Sequence, residues 1–239
     1  MRKPQAEPQA GTQTRARRIL TRLRKEFPEA QSELRFDSPF ELLIATILAA
    51  QSTDVTVNKV TPGLFKKYPG PEAFARARVS TLEREIHSTG FFRMKARAII
   101  ETSRDLVARF GGHVPHDLET LTSLRGVGRK TANVLLACAF GQPAIIVDTH
   151  VRRCSNRLGL TRDSDPDKIE LDLQRLLPRK SWSDFSHTLV LHGRYVCTAR
   201  KPKCSSCVLS TLCPSAGLTV DKPKVARTPR GNARDTRAP

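Results

Sequence analysis

Apolar residues recur at helical spacing along nearly the whole chain, and no stretch shows the alternation that a half-buried strand requires. Between 15 and 27 they fall at positions 19, 20, 23 and 27. Between 93 and 110, Ile99, Ile100, Leu106, Val107 and Phe110 share a helical face that Gly111 and Gly112 terminate. The segment from Pro39 to Gln51 is apolar almost throughout, with Ser38 placed to cap it. A helix over Asp54–Lys67 is expected to be interrupted near Pro62, and short helices follow at 72–77 and 80–88. Further helices are predicted at 117–123, 129–140, 149–158, 165–177 and 182–195. The stretch AIIV at 144–147 is too short and isolated to read as a sheet strand. The pattern predicts an all-α protein of roughly ten helices with short connections. Residues 1–12 and 221–239 carry no apolar periodicity and read as disordered ends.

Charge changes this picture from a generic helical protein to a polyanion binder. Against 23 acidic residues stand 41 lysines and arginines, a net charge of +18 with a pI near 10.4. The last 19 residues hold +4 and the first 14 only +1, so about +13 stays on the folded body. Nucleic acid is therefore the expected partner. The N-terminal stretch has no apolar core of signal-peptide length, and the longest apolar runs are too short to span a bilayer. A cytoplasmic, nucleoid-associated protein with no membrane partner is expected. In that compartment six cysteines favour metal ligation or buried thiols over disulfides.

Four of the cysteines crowd into CTARKPKCSSCVLSTLC. Cys197, Cys204, Cys207 and Cys213 lie within 17 residues, separated by polar and proline-containing spacers that cannot form a core. They point to a metal. Structural zinc usually uses two tight pairs, and only Cys204 and Cys207 make one, whereas a cubane iron–sulfur cluster tolerates uneven spacing. Closed at both ends by ligands, the intervening loop would present Arg200, Lys201 and Lys203 to phosphates. Cys138 and Cys154 fall in apolar helical stretches and read as core thiols.

The stretch LRGVGRKTANVLL places two glycines between amphipathic helices. Gly126 and Gly128 can adopt backbone conformations closed to other residues, and neither carries a side chain to block an approaching group. Backbone N–H groups and the positive end of the second helix then face an anion. This is a helix–hairpin–helix spanning about 117–140, with Lys130 at the mouth of its second helix. Asp148 ends an apolar run and opens a later helix, so it is both a natural N-cap and a possible partner for a lysine across a cleft.

The hairpin with Lys130, the aspartate in AIIVDTHVRRCSNRL, the cysteine spacing and ILAAQSTDVTVNK together resemble the endonuclease III family of DNA glycosylases/AP lyases over about residues 15–220. The resemblance implies a two-lobed fold with the DNA cleft between lobes: a six-helix barrel from about 33–142, and a [4Fe–4S] lobe joining 13–32 to 143–220. It implies Lys130 as nucleophile at C1′ of a flipped nucleotide, Asp148 as its acid–base partner, and Cys197, Cys204, Cys207 and Cys213 as cluster ligands. Gln51 would fill the space left by the flipped nucleotide. Phe91, where the family carries leucine, would wedge into the stack, with Phe92 as the competing choice. Arg125, Gly126, Val127, Gly128, Arg129 and Thr131 would contact DNA through the hairpin, and His150 and Arg194 are further candidates. Arg125 departs from the family's usual proline. A positive neighbour such as Arg129, with desolvation, is expected to lower the Lys130 pKa. The implied partner is duplex DNA with damaged bases or abasic sites, bound by a monomer. Two rivals share parts of this pattern: a monofunctional adenine glycosylase, which lacks the lysine, and a zinc-stabilised DNA-binding protein without enzymatic activity.

Overall fold

The most apolar segment of the chain becomes the centre of its first core. Helix α2 (Pro39–Ala49) is buried on every face from Leu42 to Leu48, as expected of a helix without a polar stripe. Its start is held by a capping box: Ser38 Oγ accepts from Glu41 N–H at 3.2 Å, and the Glu41 carboxylate accepts from Asp37 N–H at 2.6 Å. The structure, a computed structural model, describes residues 9–217. Within these residues the chain forms eleven α-helices, four short 3-10 turns and no strand. Helix α1 (Gln9–Glu26) is followed by α2, α3 (Asp54–Lys67), α4 (Pro71–Ala75), α5 (Val79–Glu85) and α6 (Phe92–Phe110). Then come α7 (Leu118–Ser123), α8 (Arg129–Cys138), α9 (Thr149–Arg157), α10 (Pro166–Leu176) and α11 (Trp182–Tyr195).

Buried apolar side chains fall into two clusters. One is built from residues 40–144 and centres on Leu43, Phe74, Ile99 and Leu135. The other joins Ile19 and Leu23 of α1 to Val151, Leu173, Phe185 and Leu189 from the later helices. Truncating any fully buried leucine among these to alanine costs about 2–5 kcal/mol. The chain crosses between clusters twice, once between α1 and α2 and once near Ala144, and α1 packs on α11 rather than on its sequence neighbour α2.

Two expectations are corrected. Residues 9–12 are helical rather than disordered, while 1–8 and 218–239, including the basic tail from 221, lie outside the described residues. Pro62 does not interrupt α3: it is exposed, and buried Thr61 and Leu64 anchor the helix on either side. The first cluster's span holds α2 to α8, of which α4, at five residues, is little more than one turn, leaving six longer helices. The AIIV segment, as expected, makes no sheet strand. Its Ala144 and Ile146 N–H groups donate to Ser183 and Ser186 Oγ of α11, at 3.1 and 2.9 Å.

Candidate active site and cysteine centre

The hairpin between α7 and α8 owes its shape to Gly126. That residue has φ +76°, and a Cβ there would stand 2.9 Å from the Ala98 side chain on α6. Gly128 differs: its φ is −86°, and nothing lies within 4 Å of where a Cβ would be. Only the first glycine is therefore required for folding. Gly126→Ala is expected to cost about 1–3 kcal/mol by thermal melting. Gly128→Ala should melt near wild type yet weaken DNA binding, since its open face is where a phosphate would approach.

The hairpin is pinned by Leu121, Leu124, Val127 and Leu135 in the first core. Val127 is consequently no DNA contact: its side chain is buried and its N–H donates to Leu124 O at 3.1 Å. The first intrahelical bond of α8 runs from Ala132 N–H to Gly128 O at 3.0 Å. The N–H groups of Arg129, Lys130 and Thr131 thus have no acceptor within the helix.

Lys130 projects into a cleft of about 330 Å³ between the two clusters. Gln51, Asp54, Thr131, Cys138, Asp148, His187 and Arg194 share its walls. Asp148 is indeed an N-cap, its Oδ1 accepting from Val151 N–H at 2.7 Å, and it also faces this cleft. The two roles coexist because capping occupies one oxygen only. Arg194 lines the same wall, but its guanidinium is spent on two carboxylates, Glu33 and Asp54, the latter at 2.8 Å. Burial lowers its proton affinity, and Asp54, Glu33 and Asp148 more than restore it. Arg194 is a clamp between elements rather than a free DNA contact. Lys130 is exposed and makes no ion pair among the described residues.

Arg129 is likewise corrected. It forms a bidentate pair with Glu170, at 2.7 and 2.8 Å, and Glu170 raises its pKa. Glu170 is 3% exposed and also accepts from Asn133 Nδ2 at 2.9 Å. Arg129 therefore ties α8 to α10, its charge matched by that carboxylate. His150 lies away from the cleft lining; its ring contacts Arg153 at 3.2 Å, and the residue packs against Gly193, where an added Cβ would meet the His150 Cβ at 2.7 Å and its Nδ1 at 3.2 Å. Arg125 is exposed and paired with Glu101 at 2.6 Å.

A second depression of about 240 Å³ continues from the cleft past Gln51 and Thr131 to Phe91, Met94 and Gly126. Gln51 and Phe91, with φ of +54° and +48°, are the two non-glycine residues in left-handed backbone among those described. Such strain persists where surroundings impose it, commonly at functional sites. Of the two phenylalanines, Phe92 packs on His87 at 4.5 Å, while Phe91 is 59% exposed and lines this depression.

Lys95 imposes much of that geometry, and sequence reasoning missed it. It is 5% exposed, and its ammonium donates to Leu48 O at 2.7 Å and Thr89 O at 2.8 Å. Those carbonyls belong to the turns that carry Gln51 and Phe91. Burial lowers its pKa. The available signal was a lysine on the buried stripe of α6, beside Ala96, Ile99 and Ile100. Lys95→Met keeps the stem but orphans both carbonyls, so a loss of about 2 kcal/mol is expected on denaturation, with weaker DNA binding in proportion.

The cysteine segment surrounds a cavity of about 200 Å³ that all four predicted thiols line. Among the described residues no three His, Cys, Asp or Glu side chains converge closely enough to share one metal ion. Four thiols spread around a roomy apolar cavity suit a polynuclear centre better than a single zinc. Arg157 donates to Cys197 Sγ at 3.3 Å and holds the following loop through Thr198 O and Ala199 O. Arg200, Lys201 and Lys203 on that loop are exposed and make no ion pair among the described residues. Cys138 is half-buried in the cleft wall, 3.5 Å from His187, rather than a core thiol.

Comparison with known proteins agrees with this geometry. Residues 44–179 match the model of the HhH-GPD superfamily base excision DNA repair proteins. Residues 197–213 match the iron–sulfur binding domain of endonuclease III. The chain is 52% identical to endonuclease III of Synechocystis sp. over 208 residues, covering 87% of this chain and 95% of that protein. It is 46% identical to the Escherichia coli K12 enzyme, covering 82% and 92%. A solved structure of a trapped endonuclease III–DNA covalent intermediate superposes with TM-score 0.83 at 45% identity, covering 85% of this chain and 96% of that one. No helix among the described residues is long and apolar enough to cross a membrane. The all-helical fold, the hairpin and the cysteine centre thus place this chain in the endonuclease III family, as a base-excision-repair DNA glycosylase/AP lyase with a [4Fe–4S] cluster.

Proposed function

We propose that Lys130 is the nucleophile and Asp148 its acid–base partner in removing oxidised pyrimidines from duplex DNA. One observation carries this reading: of the two long cations lining the cleft, Arg194 is held by two carboxylates, whereas Lys130 has no anionic partner among the described residues. A damaged base must leave the stack before its glycosidic carbon is accessible. Phe91 wedges into the stack, and Gln51 fills the space left by the flipped nucleotide. The Lys130 amine then attacks C1′ while the C1′–N bond breaks and the base departs with its electron pair and a proton. The C1′–O4′ bond then breaks as O4′ takes a proton, opening the sugar and leaving a protonated imine between Lys130 and C1′; the imine acidifies C2′, and loss of that proton breaks the C3′–O bond, the 3′ phosphate leaving with the electron pair as the strand is cleaved.

An ordinary lysine, with pKa about 10.4, holds its proton at neutral pH and has no lone pair to offer. The proton must be lost first. Closure of DNA over an exposed Lys130 would supply the desolvation that the free protein lacks. Asp148 favours the ammonium form and so serves to move protons and to stabilise positive charge building on the sugar. The similar endonuclease III solved as a trapped covalent intermediate supports a covalent route.

The same reading assigns residues 33–142 to a barrel lobe and 13–32 with 143–220 to a cluster lobe. The two core clusters, divided near Ala144, support it. Cys197, Cys204, Cys207 and Cys213 hold the cluster, and Arg200, Lys201 and Lys203 meet phosphates. The partner is duplex DNA carrying damaged bases or abasic sites, bound by a monomer in the nucleoid-associated cytoplasmic pool. The test is base release and strand cleavage measured separately on duplexes that each carry one lesion. Oxidised pyrimidines should be released with cleavage. Release of mispaired adenine without cleavage would favour the monofunctional rival, and binding without release the non-enzymatic one.

A further inference from the structure

Most polar groups lining the Lys130 cleft are already committed to partners within the protein. Arg194, Glu33 and Asp54 hold one another, and the Thr46 hydroxyl donates to Leu42 O at 2.7 Å. Ser32 Oγ accepts from Leu34 N–H at 3.3 Å, and Asp148 gives one oxygen to its helix cap. Leu34, Val134, Ile146, Val190 and Leu191 make much of the remaining wall apolar. His187 is different. It sits half-buried on α11, and its one hydrogen-bond partner is Cys138 at the end of α8, with Nε2 3.5 Å from Sγ. Its Nδ1 has no partner among the described residues and is not sealed from solvent. Burial pushes the Cys138 thiol up to about 11 and lowers the proton affinity of the imidazole, against the pull of Asp184. Both groups are therefore neutral near pH 7. Sulfur accepts hydrogen bonds weakly, whereas a neutral ring nitrogen accepts them well. The Cys138 S–H thus donates to Nε2, which places the His187 ring proton on Nδ1.

We infer that His187 recognises the extruded pyrimidine by donating its Nδ1–H to a ring carbonyl, with Cys138 as the positioning residue that holds the tautomer. The inference rests on the proposed removal of oxidised pyrimidines. A pyrimidine oxidised at C5 and C6 keeps its C2 carbonyl beside the glycosidic nitrogen. When the C1′–N bond breaks, its electron pair stays on the base and spreads onto that oxygen. A donor fixed beforehand in an apolar wall stabilises such charge more than water does. The imidazole keeps its proton throughout, so no bond to it is made or broken. Few other groups on these walls can take this part. Lys130 and Asp148 serve the sugar, Gln51 the vacated space, and Gln31 is exposed. Thr131 also lines the neighbouring depression on the Phe91 side. An abasic site has no base to hold, so His187 has no part in cleaving one. The contact therefore belongs to one step of the reaction and not to the other.

The experiment measures two single-turnover rates on the full-length protein: release of 5,6-dihydroxy-5,6-dihydrothymine from a duplex, and cleavage of a preformed abasic duplex. His187→Phe keeps the ring volume without a donor. It should slow base release roughly 10²-fold, the effect of removing a donor aimed at developing negative charge, and cleave the abasic duplex within about 2-fold of wild type. His187→Asn carries an N–H near the Nδ1 position and should recover release to within about 10-fold of wild type. Cys138→Ala should slow release about 3–10-fold, the size of one neutral hydrogen bond, and Cys138→Ser, which keeps a donor, should restore it. Release at the wild-type rate in His187→Phe overturns the inference. So does an equal loss of both steps in His187→Phe and His187→Asn alike, which marks a merely structural histidine. Cys138→Ala and Cys138→Ser variants that release the base equally fast remove the thiol from the positioning role. A wild type that cleaves abasic DNA but leaves the oxidised thymine in place overturns the proposed substrate and this contact together, whereas normal release by wild type and His187→Phe overturns the contact alone.

Discussion

Lys130→Gln is expected to eliminate the adduct that borohydride traps between this protein and an abasic duplex, and to lower strand cleavage on the order of 10³-fold or more. The size of the effect follows from chemistry that no other cleft residue can replace. Only a primary amine forms the imine, and glutamine has none. The remaining cationic group on that wall, Arg194, is tied to Glu33 and Asp54 and carries a guanidinium that stays protonated. Folding should be untouched, because Lys130 is exposed and makes no ion pair among the described residues. DNA affinity should fall much less than cleavage, since the hairpin backbone remains. Measuring both in one salt buffer separates the two, as phosphate contacts are salt-sensitive and imine formation is not. An undiminished adduct in Lys130→Gln would reject the lysine as nucleophile.

A large stability effect is expected from Glu170→Ala. The glutamate is 3% exposed and joins α10 to Arg129 and Asn133 of α8, with Gln174 Nε2 donating at 3.1 Å. Its loss leaves the Arg129 guanidinium with only the Asp167 carboxylate, at 3.9 Å, and the Asn133 amide with only Ile145 O, at 3.0 Å, at the junction of the two core clusters. Breaking one side of such a pair costs about 3–5 kcal/mol, and the lower end applies because Arg129 is partly solvated. Denaturant unfolding should show the midpoint shift with an unchanged slope. A second consequence distinguishes this clamp from generic packing. Because Arg129 precedes Lys130, freeing it should loosen the lysine helix, so cleavage should drop further than the fraction unfolded accounts for. A variant with wild-type stability would remove the clamp from the account.

The contrast among the basic residues shows why sequence reasoning reached some roles and missed others. Lys130, Arg129 and Arg125 are near neighbours in one basic stretch and look interchangeable as phosphate contacts. They separate only when distant carboxylates arrive: Glu170 from 41 residues away takes Arg129, and Glu101 takes Arg125. Arg194 is claimed in the same way by Glu33 and Asp54, 161 and 140 residues distant. Pairing across such separations leaves no periodic trace. It does leave a weaker one, a charged residue on an otherwise apolar helical stripe, as with Lys95 on α6 and Glu170 on α10.

Helix positions, by contrast, were legible almost throughout. They depend on local pattern: Ser38, Asp117, Asp148 and Asp165 each cap a helix through their own side chain, and Gly111 ends α6 in left-handed backbone. The miss at Pro62 came from judging a residue by type when its solvent exposure decided the outcome. The all-helical class, the hairpin, the cysteine segment and the family were therefore determined by the sequence alone, because each rests on spacing along the chain. Tertiary structure alone decided which cations stay free, which phenylalanine faces the groove and that Cys138 lines the cleft. Those outcomes depend on burial and on partners brought from remote segments, and burial is a property of the packed molecule rather than of any stretch of its chain.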